Sequence, residues 1–361
     1  MAGGSGERFW PLSRKNRPKQ LLALTSDKLM IEEAIERIMP LIPLENIYIF
    51  TSEILQNPIR KALPNLPPEN VVSEPFKRNT ASCLAYAAVF LTEKYGVSES
   101  EISMAILTAD HYISTSSQFI QTVDNALDYA EQNSCLVTIG IPPVRPETGY
   151  GYIEIETPNS TPDFICPAIS FREKPTKVAA IDFLKSGNFL WNSGMFFWRI
   201  DTFLQSIHQN LTSIDEKLEE LRKAIYRKTT IVCDGAISEV KPIFEQFPDI
   251  SIDYGIMEKA DNVAVIRAGF LWDDVGSWDS LDRMKPLDEA GNVLSGKSVV
   301  IETQNSTIIN TSENQVIALI GVENIVVVVT DDAILVCPKE KAQNVRQAVT
   351  ALRNIGQENY L

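Results

Sequence analysis

The sequence has few histidines and cysteines, and it has no long run of apolar residues. Two His and five Cys occur in 361 residues, and the cysteines at positions 83, 135, 166, 233 and 337 form no C-x-x-C pair. This scatter predicts reduced thiols in a cytoplasmic protein and argues against a zinc or disulfide framework. The longest apolar runs, 316–322 and 325–329, are far shorter than the ~20 residues that span a membrane. The opening residues show neither the basic start nor the apolar stretch of a secretory signal.

Positive charge is scarce as well. The chain has 33 Lys and Arg against 47 Asp and Glu, a formal net charge of −14. This balance argues against nucleic acid as a partner, because phosphate binding needs a basic surface. The cations near the N-terminus are concentrated, since five of them lie at Arg8, Arg14, Lys15, Arg17 and Lys19. Such a cluster creates a local positive potential that suits a small polyanion.

Apolar runs alternate with amphipathic stretches in the first part of the chain. Segments 47–51, 102–107 and 136–139 have the composition of strands, whereas 81–89 and 119–130 repeat apolar residues at helical spacing. This alternation predicts an α/β fold with a mostly parallel sheet between two layers of helices. Ligands of such sheets bind beyond the carboxyl ends of the strands, so we expect the chemistry just after each strand.

The pattern changes in the last part of the chain. Residues 200–260 have helical patterns, but from about 290 short β-rich runs are separated by Asn, Ser, Thr, Gly and Asp. These runs and a helical pattern at 342–352 predict a small all-β module with a final helix. The length agrees with about two domains, which we place at 1–287 and 288–361.

The sequence opens with a glycine-rich segment made of Ala2, Gly3, Gly4, Ser5 and Gly6. Where side chains are absent, backbone N–H groups can approach phosphate oxygens closely. The segment is not a P-loop, because no Gly-Lys-Ser/Thr closes it. It is not a dinucleotide fingerprint either, because Phe9 stands where the third glycine is required. Taken alone, the segment is equally compatible with a flexible tail.

The residues that follow this segment decide between the two interpretations. Arg-x-Trp-Pro-Leu-Ser-Arg at 8–14 leads to Pro-Lys-Gln at 18–20, and the whole opening resembles that of the mannose-1-phosphate guanylyltransferases. Segments similar to the same family follow in order at 74–81 (EPxxRNTA), 108–111 (TADH), 146–153 (PETGYGYI), 171–175 (FREKP), 191–196 (WNSGMF), 251–259 (SIDYGIMEK) and 272–278 (WDDVGSW). The β-rich end resembles the short β-helical module of these enzymes.

The resemblance implies a glycosyltransferase-A-like nucleotidyltransferase that transfers GMP from GTP to mannose-1-phosphate, giving GDP-mannose and pyrophosphate. Both reactants are anions, so the protein must supply positioning and charge neutralisation. The glycine segment, Arg8 and Lys19 would hold the triphosphate, and Glu74, Asn79 and Thr80 would recognise guanine. No general base is required, because the sugar phosphate is already ionised near neutral pH.

The family resemblance also implies a magnesium ion, which takes hard oxygen ligands and usually one or two carboxylates. We expect Asp110 and Asp274 to be this pair. An Asp after a strand is more often a helix cap or turn residue, but the motif context favours ligation. Asp273 stays an alternative to Asp274, and His111 is expected to orient or pack rather than ligate.

The sugar side is implied by the later motifs. By the resemblance, Lys174 binds the sugar phosphate, Gly149, Glu173 and Asn192 bind hydroxyl groups, and Asp253 lies near the sugar. The simpler alternative for Glu173 and Lys174 is a solvated strand end.

The chain departs from the family pattern at its start, where no apolar strand precedes the glycine segment. We expect that strand to belong in the middle of the sheet, and its absence here to reflect a misassigned start or a trimmed chain. The stretch 288–361 is too short for the isomerase domain of longer relatives, which predicts a single activity. The β-rich module is expected to pack on the catalytic domain or to form a homodimer contact. Two other functions stay open: transfer to another sugar phosphate, such as a heptose or fucose derivative, and non-catalytic sensing of sugar nucleotides.

Overall fold

The computed structural model describes residues 1–4, 6–156, 161–226 and 237–361, so Ser5 lies outside the described residues. The α-helices are α1 (Met30–Ile38), α2 (Glu53–Ala62), α3 (Asn79–Tyr95), α4 (Ser116–Asn133), α5 (Lys177–Ser186), α6 (Ile200–Asn210), α7 (Thr212–Tyr226), α8 (Ile237–Phe244) and α9 (Val345–Asn354). The strands are β1 (Ile49–Ser52), β2 (Val71–Glu74), β3 (Ser103–Ile106), β4 (Tyr112–Ile113), β5 (Leu136–Ile141), β6 (Tyr152–Ile155), β7 (Ile165–Arg172), β8 (Phe189–Arg199), β9 (Val263–Arg267), β10 (Trp272–Asp273), β11 (Val293–Ser295), β12 (Ser298–Ile301), β13 (Thr307–Asn310), β14 (Ile317–Ile320), β15 (Ile325–Val329) and β16 (Ile334–Pro338).

Helices α3 and α4 confirm the helical spacing at 81–89 and 119–130. Helix α3 is buried on nearly all sides, which explains its run of apolar residues. It ends at Gly96, whose φ of +63° gives the left-handed cap that glycine adopts without strain. Helix α4 ends at Ser134, which is also left-handed with a φ of +47°.

Among the described residues, the central sheet has six strands in the order β3-β8-β5-β9-β7-β6. The α/β class is confirmed, but the sheet is mixed rather than mostly parallel, because β5 and β9 are the only neighbours that pair in parallel in its described part. Strands β3 and β5 do run in the same direction, as crossover units require. The long β8 lies between them and is antiparallel to both.

Both faces of this sheet are covered, as the alternation of elements predicted. Along β8, Phe196 and Trp198 point to a core formed with α3, α6, α7 and α8. Trp191 and Phe197 point to the opposite core, which contains α4. This follows from the period of two along a strand, which sends successive side chains to opposite faces.

A short antiparallel pair joins two distant segments beside the sheet. Strand β10 pairs with β4, with Trp272 opposite Ile113 and Asp273 opposite Tyr112. The residues just before β4 and just after β10 are thereby brought together. These flanking positions include Asp110 and Asp274.

An apolar cavity of about 600 Å³ lies between β1 and β3. Within the described residues, β1 pairs with β2 and β3 pairs with β8, so each strand has one edge on this cavity. The amino group of Met1 donates to Leu107 O at 2.9 Å, and Ala2 N–H donates to Phe50 O at 3.0 Å. Consecutive donors that point to opposite sides are the pattern of a strand paired on both edges. The cavity therefore has the position that we expected for a central apolar strand, whose existence stays a prediction.

Joining about six alternating Val and Ile residues, a typical strand length, to Met1 is expected to raise the unfolding midpoint by several degrees. The added strand would pair with β1 and β3 and fill the cavity, and each buried Val or Ile contributes about 1.5–3 kcal/mol. It would also replace an amino group whose pKa is lowered by burial with a neutral amide. Calorimetry measures the change, and a Gly-Ser extension of equal length is the control. Equal midpoints for the two extensions would show that the cavity does not accept a strand.

The C-terminal residues form the β-rich module that the sequence predicted. Strands β11, β13 and β15 stack in parallel, with β12 and β14 paired in parallel as a second, smaller sheet. Buried amides and hydroxyls hold the turns; for example, Asn310 donates to Lys297 O and Gln315 O, both at 2.9 Å. Helix α9 closes the module, as predicted. The division at 287/288 stays a prediction.

The module packs against the segment that follows the glycines. Phe9, Trp10 and Trp278 share one apolar cluster with Val326 and Val345. The Trp278 indole also donates to Trp10 O at 3.0 Å. The module thus supports the segment from which the predicted catalytic cations arise.

Arg14 serves this junction rather than a ligand site. Its guanidinium lies 2.7 Å from the carboxylate of Asp332 in the module. The basic residues at 8–19 therefore have different roles. Arg14 joins the N-terminal segment to the C-terminal module, whereas Lys19 faces the proposed active site described below.

Candidate active site

The glycine segment is anchored to the fold. Ala2 is buried, and its carbonyl accepts hydrogen bonds from Gln20 Nε2 at 2.6 Å and Thr51 Oγ1 at 3.0 Å. Gly3 and Gly4 are exposed, with nothing near the position of a Cβ. The backbone of Gly3 and Gly4 is therefore accessible to a ligand, while the preceding residue, Ala2, is fixed in place.

Gly6 makes room for Lys19. Its φ is +61°, and a Cβ added there would lie 2.4 Å from Lys19 Cβ. The Lys19 side chain is consequently buried, with its residue only 6% exposed. Its ammonium lies 3.0 Å from Asp110 Oδ2 and donates to Asp274 O at 2.5 Å. One cation thus contacts the Asp110 carboxylate and the Asp274 main-chain carbonyl, which are far apart in the sequence.

Asp110 is held in its charged form. Burial acts to raise the pKa of its carboxyl, but the Lys19 ammonium acts in the opposite direction, and the net effect lowers the pKa. The carboxylate is therefore available to a cation at neutral pH. Arg8 is exposed nearby, with its guanidinium 3.5 Å from Gly276 O beside Asp274.

The structure separates the roles of Asp273 and Asp274. Both oxygens of the buried Asp273 are bonded to the Arg283 guanidinium at 2.6 and 3.1 Å, and one also accepts from Val275 N–H at 2.9 Å. Asp274 accepts from the Tyr150 hydroxyl through Oδ1 at 2.6 Å. Among the described residues, no hydrogen bond reaches its Oδ2. The geometry therefore favours Asp274 over Asp273 as a cation ligand.

The turn at Asp274 is strained and tightly packed. Val275 has a φ of +49°, which is unusual for a β-branched residue. It is fully buried and belongs to the apolar cluster of Phe9 and Trp278, which stabilises the turn. At Gly276 a Cβ would lie 3.1 Å from Asp274 Oδ2. The packing therefore fixes the backbone on both sides of this carboxylate.

Three of the predicted sugar residues meet in one cluster. Asn192 Nδ2 donates to Asp253 Oδ1 at 2.7 Å. Burial and the nearby Glu173 raise the pKa of Asp253 to about 6. A Cβ at Gly151 would lie 2.5 Å from Glu173 Oε2, so this glycine leaves space for Glu173.

Lys174 and Gly149 lie at the rim of this cluster. The Lys174 ammonium is 3.0 Å from Glu173 Oε1, and the Lys174 side chain is 63% exposed against 15% for Glu173. The interpretation as a solvated strand end thus suits Lys174 better than Glu173. Gly149 is exposed, and its N–H donates to Glu147 Oε1 at 3.2 Å.

No hydrogen bond in the described part of the chain joins the three predicted guanine-binding side chains to one another. Burial raises the pKa of Glu74 to about 7, and its carboxyl is hydrogen-bonded to the Cys83 side chain. The Thr80 hydroxyl accepts from Ile252 N–H at 2.8 Å. Asn79 is exposed at the start of α3 with a φ of +61°. Guanine recognition by these residues stays a prediction.

His111 orients and packs, in line with its expected role. Its Nδ1 accepts from the Trp272 indole N–H at 3.1 Å. Because an indole nitrogen can only donate, this ring nitrogen carries no proton. Burial lowers the pKa of His111 to about 4, and the ring is therefore neutral at neutral pH.

Sequence reasoning missed two residues of the site, Tyr150 and Arg145. Tyr150 lies in a quoted motif, but nothing in the motif showed its contact with Asp274. Arg145 donates to the Tyr150 hydroxyl at 3.3 Å, and its guanidinium lies 5.1 Å from the centroid of the Trp191 ring. The signal available in the sequence was that a basic residue, Arg145, directly precedes the motif at 146–153.

The carboxylate pair fits a magnesium ion. In the described part of the chain, no group of three or more His, Cys, Asp or Glu residues could hold a metal. Mg²⁺ needs only one or two carboxylates when substrate phosphates and water complete its shell. The Lys19 ammonium lies against the Asp110 carboxylate and the Asp274 main-chain carbonyl oxygen, so oxygen atoms of both residues already face one positive charge. No helix of the described ranges is long and apolar enough to cross a membrane.

Replacing Gly6 by Ala is expected to lower turnover by up to about a hundredfold, the loss that a displacement of ~1 Å in a site can cause. The new Cβ would press on Lys19 Cβ and on Lys19 N, 2.8 Å away, and would move the ammonium from Asp110. Gly96→Ala is the control, because Gly96 has a similar φ of +63° and open space around it. Pyrophosphate release and the unfolding midpoint are measured for both. Equal losses of activity would contradict a specific effect on Lys19.

Comparisons with known proteins place the chain in a family. A model described as nucleotidyl transferase matches residues 1–290, and one described as MannoseP isomerase/GMP-like beta-helix domain matches residues 296–352. The mannose-1-phosphate guanylyltransferase of Klebsiella pneumoniae is 36% identical over 100% of this chain and 74% of its own length. The alginate biosynthesis protein AlgA of Pseudomonas putida is 35% identical over 99% and 71%, respectively.

A solved structure agrees with these matches. It is from Thermus thermophilus, is described as mannose-1-phosphate geranyltransferase, and shares 32% identity over 98% of each chain with a TM-score of 0.82. The resemblance inferred from the motifs is therefore confirmed. The chain belongs to the mannose-1-phosphate guanylyltransferase family of nucleotidyl transferases and carries the β-helix domain of that family.

Proposed function

We propose that this chain transfers GMP from GTP to mannose-1-phosphate, releasing pyrophosphate and forming GDP-mannose. The observation that carries the proposal is the contact of the buried Lys19 ammonium with the Asp110 carboxylate and the Asp274 main-chain carbonyl, next to an exposed glycine backbone. Relatives named mannose-1-phosphate guanylyltransferase support the choice of nucleotide and sugar.

In the proposed reaction a phosphate oxygen of mannose-1-phosphate attacks the α-phosphorus of GTP. A new P–O bond forms, the bond from the α-phosphorus to the α,β-bridging oxygen breaks, and pyrophosphate leaves with the electron pair. Lys19, Arg8 and the backbone N–H groups of Gly3 and Gly4 hold the triphosphate. Their positive charge and dipoles stabilise the charge that develops on the leaving group.

Asp110 and Asp274 would hold Mg²⁺ together with phosphate oxygens of the substrates. When bound, this ion neutralises phosphate charge and orients the two reactants for in-line attack. Asp273 is left out of this set, because Arg283 and Val275 N–H use both of its oxygens.

The sugar would bind at the cluster of Glu173, Asn192 and Asp253. These side chains and the Gly149 backbone at the rim would bind hydroxyl groups, and Lys174 would contact the sugar phosphate. The base would bind at the start of α3, where Asn79 is exposed. Thr80 and Glu74 would complete the base-binding part of the site.

We place the protein in the cytoplasm, with GTP and mannose-1-phosphate as its partners and with neither nucleic acid nor membrane. Cysteines 83, 135, 166 and 337 are free thiols, as a reducing compartment allows.

A homodimer is supported by apolar side chains on the β12 and β14 surface, because Val299, Ile301 and Ile320 are 52%, 49% and 67% exposed.

The test is pyrophosphate release with a panel of triphosphates and sugar phosphates, each with and without Mg²⁺. GTP with mannose-1-phosphate and Mg²⁺ is expected to be the fastest combination. Equal rates with UTP or dTTP would reject the guanylyl assignment. A faster reaction with a heptose or fucose phosphate would establish the alternative substrate, and GDP-mannose binding without turnover would establish a sensor.

A further inference from the structure

Tyr150 connects the two halves of the site. Its hydroxyl donates to Asp274 Oδ1 at 2.6 Å and accepts from Arg145 Nη2 at 3.3 Å. A guanidinium can only donate, so the phenolic proton is directed to the carboxylate. Tyr150 is therefore hydrogen-bonded to Asp274, on the phosphate side of the site. Its own backbone belongs to the sugar-side loop, the segment 146–153.

The ring of Tyr150 is held from two directions. It packs edge-to-face on Trp191, with centroids 5.2 Å apart, and on Trp272, with centroids 5.3 Å apart. Trp191 is buried in β8, and Trp272 is bonded to His111. These contacts leave the hydroxyl little freedom to follow a moving carboxylate.

The Asp274 carboxylate, in contrast, has a soft torsion of its own. The terminal χ2 angle of Asp is broad, so packing of the backbone does not select one orientation of the two oxygens. Among the described residues, the Tyr150 hydroxyl is the side-chain donor to this carboxylate, and Oδ2 receives no hydrogen bond. A fixed donor on Oδ1 selects one orientation and leaves Oδ2 available.

We propose that Tyr150 is a positioning residue that holds the Asp274 carboxylate in its cation-binding orientation and ties it to the sugar-side loop. The inference rests on the proposed function, because it assumes that Asp110 and Asp274 bind a divalent ion. Partners that orient metal ligands through hydrogen bonds typically change metal affinity by about 10–100-fold when they are removed. Tyr150 is expected to act in this range.

The chain offers a matched control in Tyr152. It is the first residue of β6, two residues after Tyr150, and its hydroxyl is hydrogen-bonded to the backbone N and O of Glu147, each at 3.0 Å, rather than to Asp274. Tyr152→Phe therefore removes the same atom from the same region without touching the carboxylate. Both Phe variants keep the ring and its packing.

The experiment measures Mn²⁺ affinity by electron paramagnetic resonance, with saturating GTP, for wild type, Tyr150→Phe, Tyr152→Phe and Asp274→Asn. We expect Tyr150→Phe to weaken Mn²⁺ binding about tenfold or more, with Tyr152→Phe close to wild type. At saturating Mg²⁺, kcat of Tyr150→Phe should return to within a few-fold of wild type, since the ligand itself is present. Unfolding midpoints of the four proteins are measured on the same samples.

The outcomes separate the inference from the proposed function. If Asp274→Asn weakens Mn²⁺ binding but Tyr150→Phe does not, the positioning role is wrong and the metal site stands. Equal weakening by Tyr150→Phe and Tyr152→Phe would also overturn it, because the effect would then belong to the sugar-side loop as a whole. If Asp274→Asn binds Mn²⁺ as wild type does, the proposed metal site itself fails.

Discussion

Replacing Asp110 by Asn is expected to lower kcat by about two to three orders of magnitude, the range seen when one charge-stabilising group is removed from a transition state. Asn has the shape of Asp but not its charge, so it cannot neutralise a divalent ion, and the 3.0 Å ion pair with Lys19 is lost. Mn²⁺ affinity should fall in parallel. Pyrophosphate release from GTP and mannose-1-phosphate measures the first effect, and paramagnetic resonance measures the second.

Asp282→Asn is the matched control for this variant. Asp282 forms a partly buried ion pair with Lys339 at 2.6 Å, at the junction with the C-terminal module and outside the proposed machinery. Its loss should have a similar effect on stability and little effect on turnover. If Asp110→Asn kept wild-type turnover at saturating Mg²⁺, the assignment of Asp110 as a ligand would be wrong.

Replacing Lys19 by Met is expected to lower kcat by about 10²–10³-fold as well, but with the opposite effect on metal binding. The ammonium contacts the Asp110 carboxylate and the Asp274 main-chain carbonyl, so its positive charge opposes a second cation at the same place. Without it, Mn²⁺ should bind as tightly as before or more tightly, while the triphosphate loses a charged partner. The KM for GTP and the Mn²⁺ affinity are measured on one preparation.

Lys94→Met serves as the control for this substitution. The Lys94 ammonium donates to Asn70 Oδ1 at 3.0 Å and lies 4.6 Å from the centroid of the Tyr48 ring, away from the site. The Met variant should have wild-type kinetics. Loss of Mn²⁺ affinity in Lys19→Met, as in Asp110→Asn, would mean that Lys19 only organises the carboxylates.

The alternation of strands and helices before residue 142 and the position of Asp110 after a strand could be predicted from the sequence. Asp110 lies shortly after β3 and Asp274 directly follows β10, and the apolar pattern before Asp110 is readable as a strand. The direction of neighbouring strands could not be predicted. Helix and strand alternation records the order of elements, but it does not reveal that β8 inserts between β3 and β5.

The choice between Asp273 and Asp274 also required the fold. It depends on Arg283, which lies ten residues further on and returns to bond both oxygens of Asp273. Tyr150 is a similar case, because its orientation is set by Trp191 and Trp272 from two other segments. Local sequence patterns identify candidate side chains, whereas contacts between distant segments decide which of their atoms remain available.

The central claim is that Asp110 and Asp274 share one divalent ion beside Lys19. The most direct measurement is a crystal structure of the protein with GTP and Mn²⁺, in which anomalous scattering locates the ion. The account predicts one peak at direct-ligand distance from both carboxylates and from phosphate oxygens, with Lys19 turned to the triphosphate. A peak that contacts only phosphates, with Lys19 still paired to Asp110, would contradict it.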